Sequence, residues 1–380
     1  MIALAANTAF DGHALRGRTV ITIENGRIVA VTGRAPPAAT VETLPDDVLL
    51  APGFVDLQVN GGGGVLFNEM PTPEGLRHIA ATHARLGTTA LLPTLISAPP
   101  ALRQAAMQAV SAAVAERIPG ICGLHVEGPF IAPARRGIHP LENLAPPTAA
   151  DLAALCAPFP ARLLMTVAPD IVPPAAIAAL AAAGIAVFLG HSDATIEQAA
   201  SALQAGATGF THLFNAMSQL GSRAPGMVGA ALDSATAAAG IIVDGLHAHP
   251  AAIRLAFASL GPSRLFLISD AMPSVGDESA TDGFVLNGER IRLANGRLTD
   301  AAGTLAGAHL SMAEAVRNAV RIVGLPLAAA LRMATATPAE RAKLADHGRI
   351  AAGARADLVA LNGDLHVVAV WQGGKPVDRR

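Results

Sequence analysis

Ile121-Cys122-Gly123-Leu124-His125-Val126-Glu127 is an apolar stretch of strand length that stops on a carboxylate and is followed by the breaker pair Gly128-Pro129. Buried parallel strands read as near-continuous apolar runs, so the segment predicts a core strand with its charge at the carboxyl end. The pattern recurs on both sides. Residues 54–60, 88–94, 162–167, 185–191, 209–212, 241–244 and 265–270 are further short β-rich runs, with Ala-rich helical stretches in the gaps. Strand and helix alternating in this way predict parallel βαβ units, and eight of them an α/β fold closed into a (β/α)8 TIM-like barrel. Gln58 and Asn60, Thr94, Glu127, His191, His212, Asp244 and Asp270 all fall at the carboxyl end of such a run. That rim is the active face of these barrels, and purely structural residues have no reason to prefer one end of every strand.

Outward from the barrel, Thr19-Val20-Ile21-Thr22-Ile23 and Arg27-Ile28-Val29-Ala30-Val31 alternate about an Asn25-Gly26 turn and predict a hairpin. Residues 356–361 and 367–371, around Asn362-Gly363, form a second strand set. The two ends therefore predict a small β-sandwich domain from residues 1–50 and 347–380, attached to a catalytic barrel over 51–346. Turns at Asn287-Gly288 and Asn295-Gly296 predict a β-hairpin insertion near 281–300, with helices near 309–323 and 326–335 after it. Residues 171–189 are apolar enough to suggest a membrane span, but Pro173, Pro174 and Gly184 divide them into a short helix and a strand. Gly61 to Gly64 lacks the Lys-Ser/Thr that a phosphate loop needs and reads as a close-approach turn.

A chain of 380 residues suits one barrel and a small attached domain. Tyrosine is absent and aromatics are scarce, so the core must be aliphatic. The formal charge of −2 with scattered basic residues excludes nucleic acid and anionic membranes as partners. Cys122 and Cys156 have no metal spacing, and the first six residues lack a basic export region, so reduced thiols in the cytoplasm are expected.

Glu127, His191 and His212, each ending a different strand, supply three ligands for a divalent metal with positions left for water and substrate. Asp270, ending the last strand, is the natural general base beside such a metal. His125, two residues before Glu127, is expected in a layer beneath the site. His83 and His309 receive no role.

Ala51-Pro52-Gly53-Phe54-Val55-Asp56, these ligand strands, and the closing Gly348-Arg349-Ile350 to Gly353 with Ala356-Asp357-Leu358-Val359 resemble the amidohydrolase superfamily. More narrowly, His125-Val126-Glu127-Gly128-Pro129, Gly190-His191-Ser192, Thr211 to Met217, Asp244-Gly245-Leu246-His247 and Ser269-Asp270-Ala271 resemble the N-acetylglucosamine-6-phosphate deacetylase family. The resemblance implies hydrolysis of the acetamide of N-acetyl-D-glucosamine 6-phosphate, with a galacto epimer, another N-acyl substrate or a catalytically silent sugar-phosphate-binding barrel as alternatives. It implies one divalent ion per subunit, zinc first and iron or another ion next, because Gln58-Val59-Asn60 stands where many superfamily members carry His-x-His and no lysine ends the fourth strand. It implies substrate contacts from Gly137, Ile138, His139, Asn215, Ala216, Arg223, Asp244, Gly245, Leu246, His247, Leu305, Ala306 and Gly307. His139 would also polarise the acetyl carbonyl, and Arg223 would reach a partner's phosphate across a homodimer interface.

Overall fold

The eight apolar runs form a single ladder of parallel strands: β1 (Phe54–Val59), β2 (Thr88–Ile96), β3 (Gly123–Glu127), β4 (Arg162–Val167), β5 (Ala186–Leu189), β6 (Gly209–Phe210), β7 (Ala238–Ile241) and β8 (Leu265–Leu267). A parallel bridge between Val59 and Ala271 joins the chain beyond β8 to the end of β1 and closes the barrel. The computed structural model of the chain describes residues 1–286 and 288–378.

Helices occupy the gaps, and their starts are written locally. At Ile196–Gln204 the Thr195 side chain accepts from the Gln198 N–H while the Gln198 side chain accepts from the Thr195 N–H, a reciprocal capping box. The apolar segment 171–189 resolves into the helix Pro174–Ala182 and strand β5. No helix among the described residues is long and apolar enough to cross a membrane.

The chain ends build two small sheets. Thr19–Glu24 and Arg27–Thr32 form the expected hairpin, with Asn25 and Gly26 both at positive φ as a two-residue strand reversal requires. Leu49–Pro52 pairs antiparallel with Leu358–Leu361, which binds the beginning of the chain to its end. Leu4, Ile21 and Ile23 of one sheet share a buried cluster with Leu50, Leu358 and Trp371 of the other, making a sandwich.

Several elements depart from expectation. Strand seven lies at Ala238–Ile241 instead of 241–244, because its alanine and glycine sequence carries no β signal. Small residues fit there: a Cβ on Gly240 would lie 3.2 Å from Ile268 Cδ1 and 3.3 Å from a Phe266 ring carbon. The insertion is a three-stranded meander, Gly283–Leu286, Glu289–Ala294 and Arg297–Thr299, instead of one hairpin. Two turns connect three strands; Asn287, in the first expected turn, lies outside the described residues. An extra helix, Ala336–Arg341, follows Leu327–Ala334.

The closing seam rests on Asp56. Its buried carboxylate accepts from the backbone N–H groups of Gln58 and Ser269, each at 3.2 Å, and from the Ser269 hydroxyl, so it ties β1 to the chain leaving β8. Asp56→Ala would leave these buried donors unpaired and should cost about 2–4 kcal/mol of stability, read as a lower denaturant midpoint. An unchanged midpoint would mean that the seam closes without this carboxylate.

Candidate active site

The strand ladder stops just before the polar residues of the rim. His191, His212 and Asp270 follow β5, β6 and β8 and have φ of 49°, 30° and 51°. Left-handed backbone is costly for residues with a Cβ and persists only where the surroundings enforce it, as at functional sites. Here it turns each side chain out of the pleat toward the barrel mouth. Thr94, expected at the rim, lies a layer lower because β2 continues to Ile96. Thr94 Oγ1 meets His125 Nδ1 at 3.1 Å, His125 Nε2 meets Thr166 Oγ1 at 2.8 Å, and Thr166 meets Thr211 at 2.6 Å. This buried polar belt supports the rim, and burial pushes His125 down to about 4, so it is neutral.

Above the belt, Glu127 Oε1, His191 Nε2 and His212 Nε2 lie 2.9–3.3 Å from one another. Such separations match donors that share one ion at about 2.1 Å each. The His191 tautomer is set by its other nitrogen: Nδ1 lies 2.8 Å from the Arg135 carbonyl, which can only accept, so Nδ1 carries the proton and Nε2 presents a lone pair. The Glu127 carboxylate oxygen, the His191 lone pair and His212 Nε2 converge at this distance, and the buried Glu/His/His set fits a divalent metal.

His139 also offers a ligand-type atom, since Glu127, His139 and His191 each bring one within 4.8 Å of the others. Its tautomer argues for a different part. The Ser97 backbone N–H donates to His139 Nδ1 at 3.2 Å, so in the neutral ring the proton sits on Nε2, the nitrogen 3.9 Å from Glu127 Oε2. Burial, reinforced by His191, pushes His139 down to about 3 and keeps it neutral. An N–H directed into the cavity donates hydrogen bonds and cannot ligate.

Asp270 stands beside Glu127, the Gln58 amide nitrogen lying 3.1 Å from an oxygen of each. Burial, and then the charge of Glu127, push its carboxyl up to about 6. A cavity of about 350 Å3 opens over these groups, at the lower end of the range for small-molecule sites. Glu127, His139, His191, His212 and Asp270 line it together with Asn60, Gly137, Ile138, Asn215, Ala216, His247, Leu305 and Gly307. Gly307 has φ +61°, and a Cβ there would come within 2.6 Å of Met272; this close approach keeps the 305–307 loop against the strand end that carries Asp270.

Not every expected contact is on the wall. Asp244 holds its neighbours: its carboxylate accepts from the Leu246 and His247 backbone N–H groups at 2.8 and 2.9 Å and meets His247 Nδ1 at 2.6 Å. Gly245 and Leu246 belong to that loop and do not line the cavity, and Ala306 is buried against Met272 and Leu286. Arg223 is exposed on the loop after β6 and does not line its own chain's cavity. His83 and His309 have structural partners, the Gly61 carbonyl and Ser274. Sequence reading missed Ser97 and Arg135, whose backbone groups set the two tautomers, and Thr304, which lines the cavity. Arg135 lies four residues before His139 in one loop, but backbone partners leave no residue-type signal.

An eight-stranded parallel barrel with a carboxylate and imidazoles gathered at its carboxyl rim defines an amidohydrolase, and the chain belongs to the amidohydrolase family, whose profile matches residues 49–377. Its relatives are narrower in kind. The N-acetylgalactosamine-6-phosphate deacetylase of a Shewanella species is 44% identical over 86% of this chain and 82% of its own length. The N-acetylglucosamine-6-phosphate deacetylase of Haemophilus influenzae is 34% identical, with 94% of each chain covered. The crystal structure of the Pasteurella multocida N-acetylglucosamine-6-phosphate deacetylase superposes with a TM-score of 0.94 at 33% identity over 99% of both chains. A Mycobacterium smegmatis aspartate-to-alanine variant of such an enzyme, in complex with N-acetyl-D-glucosamine-6-phosphate, superposes with 0.92 at 35% identity over 99% of both. Within the amidohydrolases this chain belongs with the N-acetylglucosamine-6-phosphate deacetylases.

Proposed function

We propose that the chain hydrolyses the acetamide of N-acetyl-D-glucosamine 6-phosphate to D-glucosamine 6-phosphate and acetate. What carries the reading is one cavity that gathers a cation-binding Glu/His/His set, a neutral N–H donor and a carboxylate, the groups amide hydrolysis needs. Glu127, His191 and His212 would hold one divalent ion, zinc by preference for this donor set, with iron the next choice. When bound, the ion supplies a Lewis acid that makes water nucleophilic near neutral pH.

The chain's own groups do the rest. Asp270 accepts the attacking water's proton and returns it to the departing amine nitrogen. His139 Nε2–H donates to the acetyl oxygen as negative charge grows there. Gly137 and Ile138 pack beside the acetyl group, Leu305 and Gly307 face the sugar, and Asn215, Ala216 and His247 reach the sugar and phosphate oxygens. Asp244, Gly245, Leu246 and Ala306 shape the loops that carry these contacts.

The galacto epimer is the second reading, favoured by the Shewanella relative at 44% identity. Acetate release from the two N-acetylhexosamine 6-phosphates, assayed side by side, tests both; release from neither would overturn the proposed activity. Free Cys122 and Cys156 suit the cytoplasm, the proposed compartment.

An exposed Arg223 that misses its own cavity suits a homodimer in which each chain completes the other's phosphate site. Arg223→Ala should then raise KM for the phosphorylated sugar about 10- to 150-fold, the equivalent of a charge-assisted bond worth about 1.5–3 kcal/mol, and leave the unphosphorylated sugar unaffected. Heterodimers of Arg223→Ala and Asp270→Asn chains should regain one working site. Verified heterodimers without activity would refute sharing.

A further inference from the structure

The barrel's closing seam sets Gln58 and Asn60 beside Asp270. The Asp270 N–H donates to the Gln58 carbonyl at 3.0 Å and the Asn60 N–H to the Ala271 carbonyl at 2.9 Å. Side chains alternate along a strand, so Gln58 and Asn60, the latter directly after the last residue of β1, point to the same side, and both are 2% exposed. Gln58 Nε2 donates to Asp270 Oδ1 and to Glu127 Oε1, each at 3.1 Å, and Asn60 Nδ2 donates to the same Asp270 Oδ1 at 2.7 Å. Carboxylate acceptors fix which end of each amide faces them, since turning either amide over would set oxygen against oxygen.

The consequence is an asymmetric carboxylate. Oδ1 takes two N–H bonds, whereas among the described residues no hydrogen bond reaches Oδ2, although Asp270 lines the cavity. An aspartate's terminal torsion is broad and roughly two-fold, so without these donors the oxygens would exchange places. The Gln58 amide also gives one hydrogen to each of two neighbouring carboxylates, which holds their spacing without adding charge.

We propose that Gln58 and Asn60 are positioning residues that anchor Asp270 Oδ1 and thereby make Oδ2 the oxygen that takes and returns the proton. The inference rests on Asp270 as the general base, proposed above. It predicts an effect on turnover and none on substrate capture, because the amides act on the orientation of the base.

Gln58→Met and Asn60→Leu put apolar side chains of similar shape but greater bulk in place of the amides and remove the donors. Each should lower kcat about 10- to 100-fold, as loss of a group that orients a site residue does, with KM and metal content per chain unchanged. Asn60→Asp, the same shape without the N–H, should fall with Asn60→Leu. Wild-type kcat in the Met and Leu variants, full activity in Asn60→Asp, or metal lost in proportion to activity would each overturn the proposal. Asp270→Asn assayed in parallel separates the two ideas: an active Asp270→Asn sinks the base itself, whereas an inactive one beside fully active Gln58→Met and Asn60→Leu sinks only the anchoring.

Discussion

Asp270→Asn is expected to lower turnover about 10²- to 10⁴-fold, the usual loss when a general acid–base group is removed, while fold and metal content stay as they were. The Asn oxygen can take the place of Oδ1 and keep the bonds from Gln58 and Asn60, so the seam has no reason to open. The NH2 would then face the cavity where the proton acceptor stood. An amide nitrogen neither takes the water's proton nor delivers one to the leaving amine. Because Glu127, His191 and His212 are untouched, the metal should remain, and elemental analysis beside the acetate assay distinguishes loss of chemistry from loss of the site. Near-normal turnover would require another base.

Removing the metal should have an effect of the same order or larger. Lewis-acid stabilisation of the transition state is worth several kcal/mol, so dialysis against a chelator should reduce acetate release at least about 10³-fold. One equivalent of divalent ion per chain should restore it. Gln58 and Asn60 present amide N–H groups to the rim where two imidazoles would be needed for a second ion. The stripped protein should also melt at a lower temperature, because an ion that binds only the folded state stabilises it by mass action. Two tightly held equivalents, both needed for activity, would defeat this expectation, and full activity after verified removal would defeat the metal's role altogether.

The parts of the molecule written in residue type and spacing were legible before any coordinates. Apolar runs of strand length ending on polar residues specify a parallel barrel, since only strands buried on both faces tolerate such runs and only the carboxyl rim meets substrate. Glu127, His191, His212 and Asp270 could thus be picked out together, His139 only through the family resemblance, and the structure places all five on one cavity. Where residue type carries no backbone preference, reading failed: the alanines and glycine of β7 say nothing about strand, and its place is decided by what Phe266 and Ile268 leave room for.

Finer chemistry belongs to tertiary structure alone. A histidine's letter does not say which nitrogen bears the proton; for His191 the Arg135 carbonyl decides it, and for His139 the Ser97 N–H, both backbone groups from distant loops. Nor does an aspartate's letter distinguish its oxygens; the register of β1 against the end of β8 does so, by bringing two amides to Oδ1 and none to Oδ2. Sequence by itself determined which groups exist and which rim they share, because periodicity and strand ends are local properties. Only the closed barrel decided which lone pairs and protons face the cavity, because hydrogen bonds between segments far apart in the chain set that choice.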